Sequence, residues 1–360
     1  MADLRSSKLK IKSSIKNYEV CFGTSFLDSL LSELQDNDFI FIDKNVFNNL
    51  SQEIKEIITF KKYIVIDATE SQKSYDALEP IIIKLINKNF RRSDRIVSIG
   101  GGITQDITAF IASMMYRGVN WIFFPTTLLA QADSCIGGKT SINIKEYKNQ
   151  LGNFYPPIKI FIIPEVLKSL SLLDFKSGMG EMLHFYLVSG EKDFDYYCDR
   201  YDKAFEDENI LLEIVRRNLE IKKGFIERDE FDTGERLLLN YGHSFGHAIE
   251  SLTNYEIPHG IAVSYGMDMA NFISVKMGFL EQKIRIEIRN QLKKIWSDVK
   301  LGNLNITDFE EALSRDKKNI GNTYQLILTK GIGKMFKHGI EPNQNFTKWL
   351  NEYFSQLELK

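Results

Sequence analysis

Cysteine pairing is the first thing this sequence lacks. Its 360 residues include three cysteines, Cys21, Cys135 and Cys198, far apart and with no CxxC spacing. A disulfide framework or thiolate zinc site is therefore not expected, and a reducing, cytoplasmic setting is. Charge of one sign is lacking too. Lys and Arg number 46, Asp and Glu 48, a net charge of −2. That balance argues against nucleic acid as a partner, while leaving room for a local cationic pocket that takes a small anion. Long apolar runs are missing as well. Val119–Ala130 and Ile158–Leu167 are interrupted by Pro125 and Pro164. Neither reaches the ~20 residues that span a bilayer, so no membrane partner is expected. The opening MADLRSSKLKIKSS has no apolar h-region and does not read as a secretory signal. No repeat, low-complexity tract or long linker is visible.

What remains is an ordinary globular composition, 43% hydrophobic and 26% charged. At roughly 100–200 residues per domain, the length suggests two domains. Leu9–Phe22 alternates around a polar centre and predicts a pair of edge strands. Short apolar strands are predicted at Phe39–Ile42, Tyr63–Ile66, Arg95–Ile99, Trp121–Phe124 and Ile158–Ile163. Helical spacing fills Val46–Ile58 and Gln72–Leu85. Strands alternating with helices predict a mostly parallel α/β sheet. From Leu172 to Asn290 the spacing is almost wholly helical, and Ile306–Lys360 is mixed. The boundary is placed at 171/172: residues 1–171 an α/β domain, residues 172–360 a helical one.

Several segments could carry chemistry. Gly100-Gly101-Gly102 follows a strand and precedes a helix containing Asp106. Such glycines either admit a pyrophosphate to a helix N-terminus or simply make a tight turn. Asp133–Gly152 carries Lys139, Lys148 and Asn149 among glycines, which suits an anion or a solvated loop. Five histidines occur in the chain. His243 and His247 share a helical face at i and i+4, and His259 follows in Ile257-Pro258-His259-Gly260. Imidazoles so spaced suit a divalent metal such as zinc, with Glu181 available to complete the set. Lys222, Arg236, Lys317 and Lys318 are cations flanked by apolar helical segments, and each taken singly reads as a surface residue.

Taken in order, the segments GGGITQDITAF, YRGVNWIFFPTTLLAQADSCIGGKTSIN, KNQLGNFYPP, SGMGEMLHF, DEFDTGERLLLNYGHSFGHAIE, IPHGIAVSYGM and RDKKNIG resemble the 3-dehydroquinate synthases and the wider sugar phosphate cyclases. They run from Gly100 to Gly321. The resemblance implies an N-terminal NAD-binding α/β domain and an all-helical C-terminal domain that binds metal and substrate. It implies zinc, or cobalt, on Glu181, His243 and His259, with His247 beside the substrate phosphate instead. Asp133, Lys139, Asn149, Lys222, Arg236, Asn240 and one of Lys317 or Lys318 would line the substrate pocket. Arg117 matches an arginine that reaches the phosphate across a homodimer interface. Asp43, Asn45, Glu70, Lys73, Gly101, Gly102, Asp106, Thr126 and Thr127 match NAD-contacting positions, and Asp133, Lys139 and Lys148 are grouped with them as cofactor-binding.

The reaction implied is a lyase reaction on a small phosphorylated sugar acid. A substrate alcohol is oxidised by NAD+, phosphate is eliminated, the ketone is reduced again, and the ring opens and closes by an aldol step. NAD is therefore regenerated at each turnover. One residue departs from the family pattern: His184 stands where dehydroquinate-forming members have lysine, three residues after Glu181. At i+3 it should still face the metal site. As a shorter side chain with an unperturbed pKa of about 6.5, it should change the contact that lysine makes with a substrate hydroxyl, which makes it the expected specificity residue. Arg236 matches the arginine that grips the substrate carboxylate and favours 3-deoxy-D-arabino-heptulosonate 7-phosphate. The alternatives are a cyclase of another heptulose phosphate such as sedoheptulose 7-phosphate, a metal-dependent polyol dehydrogenase, and a binding protein that has lost catalysis.

Overall fold

In a computed structural model of the chain, residues 8–145, 147–296, 299–302, 304–316 and 318–358 are described. Two compact units divide the chain: Met1–Ser171 with Asp207–Phe231, and Leu172–Glu206 with Asp232–Lys360.

The first unit is an α/β layer structure. Its strands are β1 (Lys8–Ile11), β2 (Tyr18–Phe22), β3 (Asp38–Asp43), β4 (Lys62–Ile66), β5 (Arg95–Gly100), β6 (Trp121–Pro125), the hairpin β7 (Ile142–Ile144) and β8 (Tyr147–Leu151), and β9 (Lys159–Ile162). Helices α1 (Phe26–Glu33), α2 (Lys44–Asn49), α3 (Gln52–Phe60), α4 (Tyr75–Asn87) and α5 (Gly102–Met114) lie between them. The main sheet runs β1-β2-β9-β6-β5-β3-β4 and is parallel except for the β1–β2 pair. Every residue of β5 and β6 is buried, as strands covered on both faces require. One face packs Ile40, Ile42, Val97, Ile99, Ile122 and Phe124 against Phe26 and Leu30 of α1 and Ile58 of α3.

Local chemistry adjusts the sequence reading in three places. Val46–Ile58 is two helices, because the Asp43 carboxylate accepts from the N–H groups of Asn45 and Val46 while Ser51 separately caps α3. The helix expected from Gln72 begins at Tyr75, after a short turn at Glu70–Gln72. Of the pair expected in Leu9–Phe22, only β1 lies at an edge of the sheet, since β2 also pairs with β9.

The second unit is built from α6 (Leu172–Ser189) and α7 (Glu191–Cys198), then, beyond the first unit's α8 (Glu208–Arg228), from α9 (His243–Leu252), α10 (His259–Lys276), α11 (Gln282–Trp296), α12 (Ile306–Ser314) and α13 (Gln344–Glu358). An antiparallel hairpin, β10 (Tyr324–Thr329) and β11 (Met335–Ile340), interrupts the helical pattern, so the unit is not all-helical. Helix α10 is its axis: Gly260 to Ser274 is buried without a break. A single boundary at 171/172 does not describe the whole division. Helix α8 packs on the first unit, where Asn218 Nδ2 donates to the Ala132 carbonyl at 2.7 Å.

Candidate active site

In the second unit, glycines let three helices meet backbone to backbone. A Cβ on Gly260 would lie 1.8 Å from the Ser177 carbonyl oxygen, and one on Gly180 2.4 Å from the Gly260 oxygen. On the other side of α10, a Cβ on Gly266 would lie 2.0 Å from the Gly242 oxygen. Gly180, Gly242 and Gly260 each adjoin one of the expected metal ligands. The close crossings thus bring Glu181 of α6, His243 of α9 and His259 of α10 together.

Their geometry is that of a ligand set. His243 Nε2 lies 3.6 Å from Glu181 Oε1 and His259 Nε2 3.5 Å from Oε2. The ligating atoms of all three fall within 4.8 Å of one another. The opposite nitrogens are engaged elsewhere: His243 Nδ1 with the Tyr241 carbonyl at 3.3 Å, His259 Nδ1 with Glu250 Oε2 at 3.1 Å. Those partners orient both Nε2 atoms toward the carboxylate, as outer partners of metal-bound imidazoles do. Glu181 is 2% exposed, and its Oε2 makes no hydrogen bond among the described residues. Burial opposes its ionisation, but His243 and His259 outweigh that and hold the carboxyl below its usual range. A buried carboxylate oxygen facing two imidazole nitrogens fits a divalent cation.

The neighbours divide by exposure. His247 is exposed, its ring 5.6 Å from His243 and 5.7 Å from His259. His184 points toward the ligands, Nδ1 3.9 Å from Glu181 Oε1 and ring 5.1 Å from His243. Yet it is fully buried, and it packs edge-on to Phe185. That depth sets it beside Glu181 and His243. Arg236 is buried in the turn Glu235–Asn240. Asn240 Oδ1 accepts from Lys318 Nζ at 3.4 Å. Lys317 lies outside the described residues. Two residues here escaped the sequence reading: Glu250, seven positions after His243 on α9, and Asp316, whose carboxylate accepts from Ser244 Oγ at 2.7 Å.

In the first unit, the expected cofactor residues follow the carboxyl ends of adjacent parallel strands. Asp43 ends β3 and Asn45 follows it, Gly101 and Gly102 follow β5, and Thr126 and Thr127 follow β6. That edge is where open parallel sheets bind nucleotides. Gly102 opens α5, and a Cβ there would meet nothing nearer than Ser134 Oγ at 3.9 Å, so the backbone is approachable by a phosphate. Past β4 lies an ionic cluster. Lys73 Nζ donates to Asp106 Oδ2 at 2.8 Å, Lys148 Nζ lies 3.6 Å from Glu70 Oε1, and Asn143 donates to Glu70 at 2.8 Å. Burial raises the Asp106 carboxyl to about 6 against the pull of Lys73. These glycines and polar groups fit a dinucleotide. Asp133 and Lys222 are also brought together, Lys222 Nζ donating to Asp133 Oδ1 at 2.6 Å. Lys139, Asn149 and Arg117 are exposed. Asn149 and Arg117 have left-handed backbones, φ 55° and 66°.

Comparison with known proteins bears on the fold and the family. The chain is similar to 2-epi-5-epi-valiolone synthase from Streptomyces hygroscopicus, solved with NAD+ and Zn2+, at a TM-score of 0.82 and 23% identity over 99% of each chain. It is similar to 2-deoxy-scyllo-inosose synthase, solved with carbaglucose-6-phosphate, NAD+ and Co2+, at 0.80 and 21% over 97% of this chain and 100% of that one. The chain therefore shares the fold of these two synthases. Residues 63–177 match the N-terminal and residues 178–319 the C-terminal domain family of 3-dehydroquinate synthase. The 3-dehydroquinate synthase of Ruminiclostridium cellulolyticum is 33% identical over 345 residues, 93% of this chain and 96% of that one. The chain belongs to the 3-dehydroquinate synthase family.

Proposed function

We propose that this chain converts 3-deoxy-D-arabino-heptulosonate 7-phosphate to 3-dehydroquinate and phosphate, using NAD and a divalent metal, zinc or cobalt. The observation that carries this reading is the convergence of Glu181, His243 and His259 in a member of that family. Those three would hold the metal, leaving a coordination position open for substrate. Asp43, Asn45, Glu70, Lys73, Gly101, Gly102, Asp106, Thr126, Thr127 and Lys148 would hold NAD. When bound, the dinucleotide supplies a reversible hydride acceptor and the metal a Lewis acid.

The chain's own residues bind and orient. Arg236 offers a planar guanidinium that can grip a carboxylate through two parallel hydrogen bonds. Asn240 and Lys318 bind the phosphorylated end with His247, and Lys139, Asn149 and the Asp133–Lys222 pair complete the substrate's polar contacts. His184 acts from behind, keeping the Glu181 carboxylate in place through its packed ring. We take the enzyme to work in the cytoplasm as a homodimer, with Arg117 contributed to the partner's substrate. Tyr75, Ile83 and Ile86 on α4 and Met114 at the end of α5 leave exposed apolar side chains that a second copy would cover.

The test is phosphate release from the heptulosonate phosphate with NAD and zinc present. Turnover without net NADH is expected. Arg236→Ala should cost on the order of 2–5 kcal/mol in kcat/KM on that substrate, and far less on sedoheptulose 7-phosphate. Net NADH formation would point to a polyol dehydrogenase, and turnover of sedoheptulose 7-phosphate alone to a different cyclase.

A further inference from the structure

The segment after α12 is braced at both ends. Asn319 Nδ2 donates to the Leu313 carbonyl at 2.8 Å, while its Oδ1 accepts from the Gln325 N–H at 3.1 Å. At the other end stands Asp316, with a side chain 11% exposed. Its Oδ1 accepts from the Lys318 backbone N–H at 3.0 Å, and its Oδ2 lies 3.3 Å from Lys318 Nζ. That same Oδ2 accepts the Ser244 hydroxyl at 2.7 Å. Ser244 is the second residue of α9, directly after His243. Gly242, at the N-cap of α9, has no side chain to cap the helix. A carboxylate is favoured there by the exposed N–H groups of the first turn.

We propose that Asp316, tethered through Ser244, is the positioning residue that sets Lys318 for the substrate phosphate. The carboxylate fixes both the backbone and the ammonium of Lys318, and the serine fixes the carboxylate to the helix that begins at His243. Lys318 Nζ is thereby held within reach of Asn240 Oδ1. The inference rests on the reading that Lys318 and Asn240 bind a phosphorylated substrate. Asp316 itself touches neither substrate nor cofactor. It acts through lysine, so its loss should appear in binding more than in chemistry.

The experiment compares Asp316→Ala, Asp316→Asn, Ser244→Ala and the Asp316→Ala/Ser244→Ala double variant in the metal-loaded, NAD-loaded enzyme. Two quantities are read: KM and kcat on the heptulosonate phosphate, and the affinity for inorganic phosphate by calorimetry. Asp316→Ala should raise KM and weaken phosphate binding by roughly 10- to 100-fold, the loss expected from removing a charge-assisted hydrogen bond. Its kcat should stay within about threefold and its metal content should be full. Ser244→Ala should shift both binding quantities in the same direction by less, and Asp316→Asn, which keeps one acceptor oxygen, should fall between. The double variant should be no worse than Asp316→Ala, because the serine acts only through the carboxylate. Unchanged KM and phosphate affinity in Asp316→Ala and Ser244→Ala would overturn the inference. So would a joint fall of kcat and metal content at constant KM, which would show that Asp316 supports His243. Should the wild-type enzyme fail to turn over the heptulosonate phosphate, the functional reading falls, and the phosphate affinities still decide the role of Asp316.

Discussion

Gly260→Ala should break the proposed metal centre without replacing any of its three proposed ligands. Gly260 lies in the first turn of α10, where its N–H donates to Ser177 Oγ at 3.0 Å. An added Cβ would sit 1.8 Å from the Ser177 carbonyl oxygen and 2.7 Å from its carbon. Both are backbone atoms of α6, so no rotamer change relieves the clash, and the helices must part by more than about an ångström. Overpacking of that kind costs about 1–3 kcal/mol, and loss of the Ser177 bond about another 1. At roughly 2–4 °C per kcal/mol, the metal-free protein should melt roughly 4–16 °C lower. His259 would be drawn off Glu181, so metal affinity should fall at least about tenfold. Helix propensity alone gives the opposite sign, since Ala in a helix interior is favoured over Gly by about 1 kcal/mol. Gly224→Ala in α8 is the control: its Cβ would meet only the far end of the flexible Arg228 side chain, at 3.2 Å, so that variant should hold or gain stability. Thermal unfolding of the apo proteins and metal titration of each make the comparison. A Gly260→Ala protein that melts as high as wild type and binds metal as tightly would refute the crossing argument.

Alanine at Glu181, His243 or His259 should empty the metal site, whereas His247→Ala should leave it filled; elemental analysis of the purified variants decides this, and an empty His247→Ala site would reassign the ligands. Asp106 carries a carboxyl raised to about 6 in the folded chain, above its ordinary 3.8, so the fold binds that proton more tightly than the unfolded chain does. Its contribution to stability is therefore fully present below about pH 4 and is lost as pH rises toward about 6. Relative to Asp106→Asn, wild type should lose on the order of 1–3 kcal/mol over that window and stay level above it; a difference that does not vary with pH would refute the assignment.

Sequence pattern reached the sheet because β-strand burial repeats along the chain, as in the fully buried run Arg95–Gly100. It also picked out His243 and His259, through the resemblance of the motifs they stand in, and the structure sets both Nε2 atoms against the Glu181 carboxylate. What it missed depends on contacts across helices. Glu250 looks like any helical glutamate until α9 sets it 3.1 Å from His259 Nδ1. Asp316 is a loop acid until Ser244 reaches it. The i+3 spacing correctly aimed His184 at Glu181, but spacing gives direction and not depth, and Tyr241 and Phe185 close over that ring. Helix α8 lies within a helical stretch by sequence, so periodicity could not show which unit its buried stripe serves.

The return of α8 to the first unit has a consequence for how the chain is made. A nascent chain that has reached Ser171 holds every strand of the seven-stranded sheet, yet Asp133 still lacks Lys222 and the Ala132 carbonyl still lacks Asn218. Those partners emerge only after Leu172–Glu206, which belongs to the other unit, has been synthesised. At about 5–20 residues per second, the interval from Leu172 to Phe231 is roughly 3–12 s. During it the sheet unit waits with an open seat for its last helix. A fragment ended at Ser171 should remain in that state, with slower refolding and greater protease sensitivity around Ala130–Cys135 than the same fragment supplied with an α8 peptide.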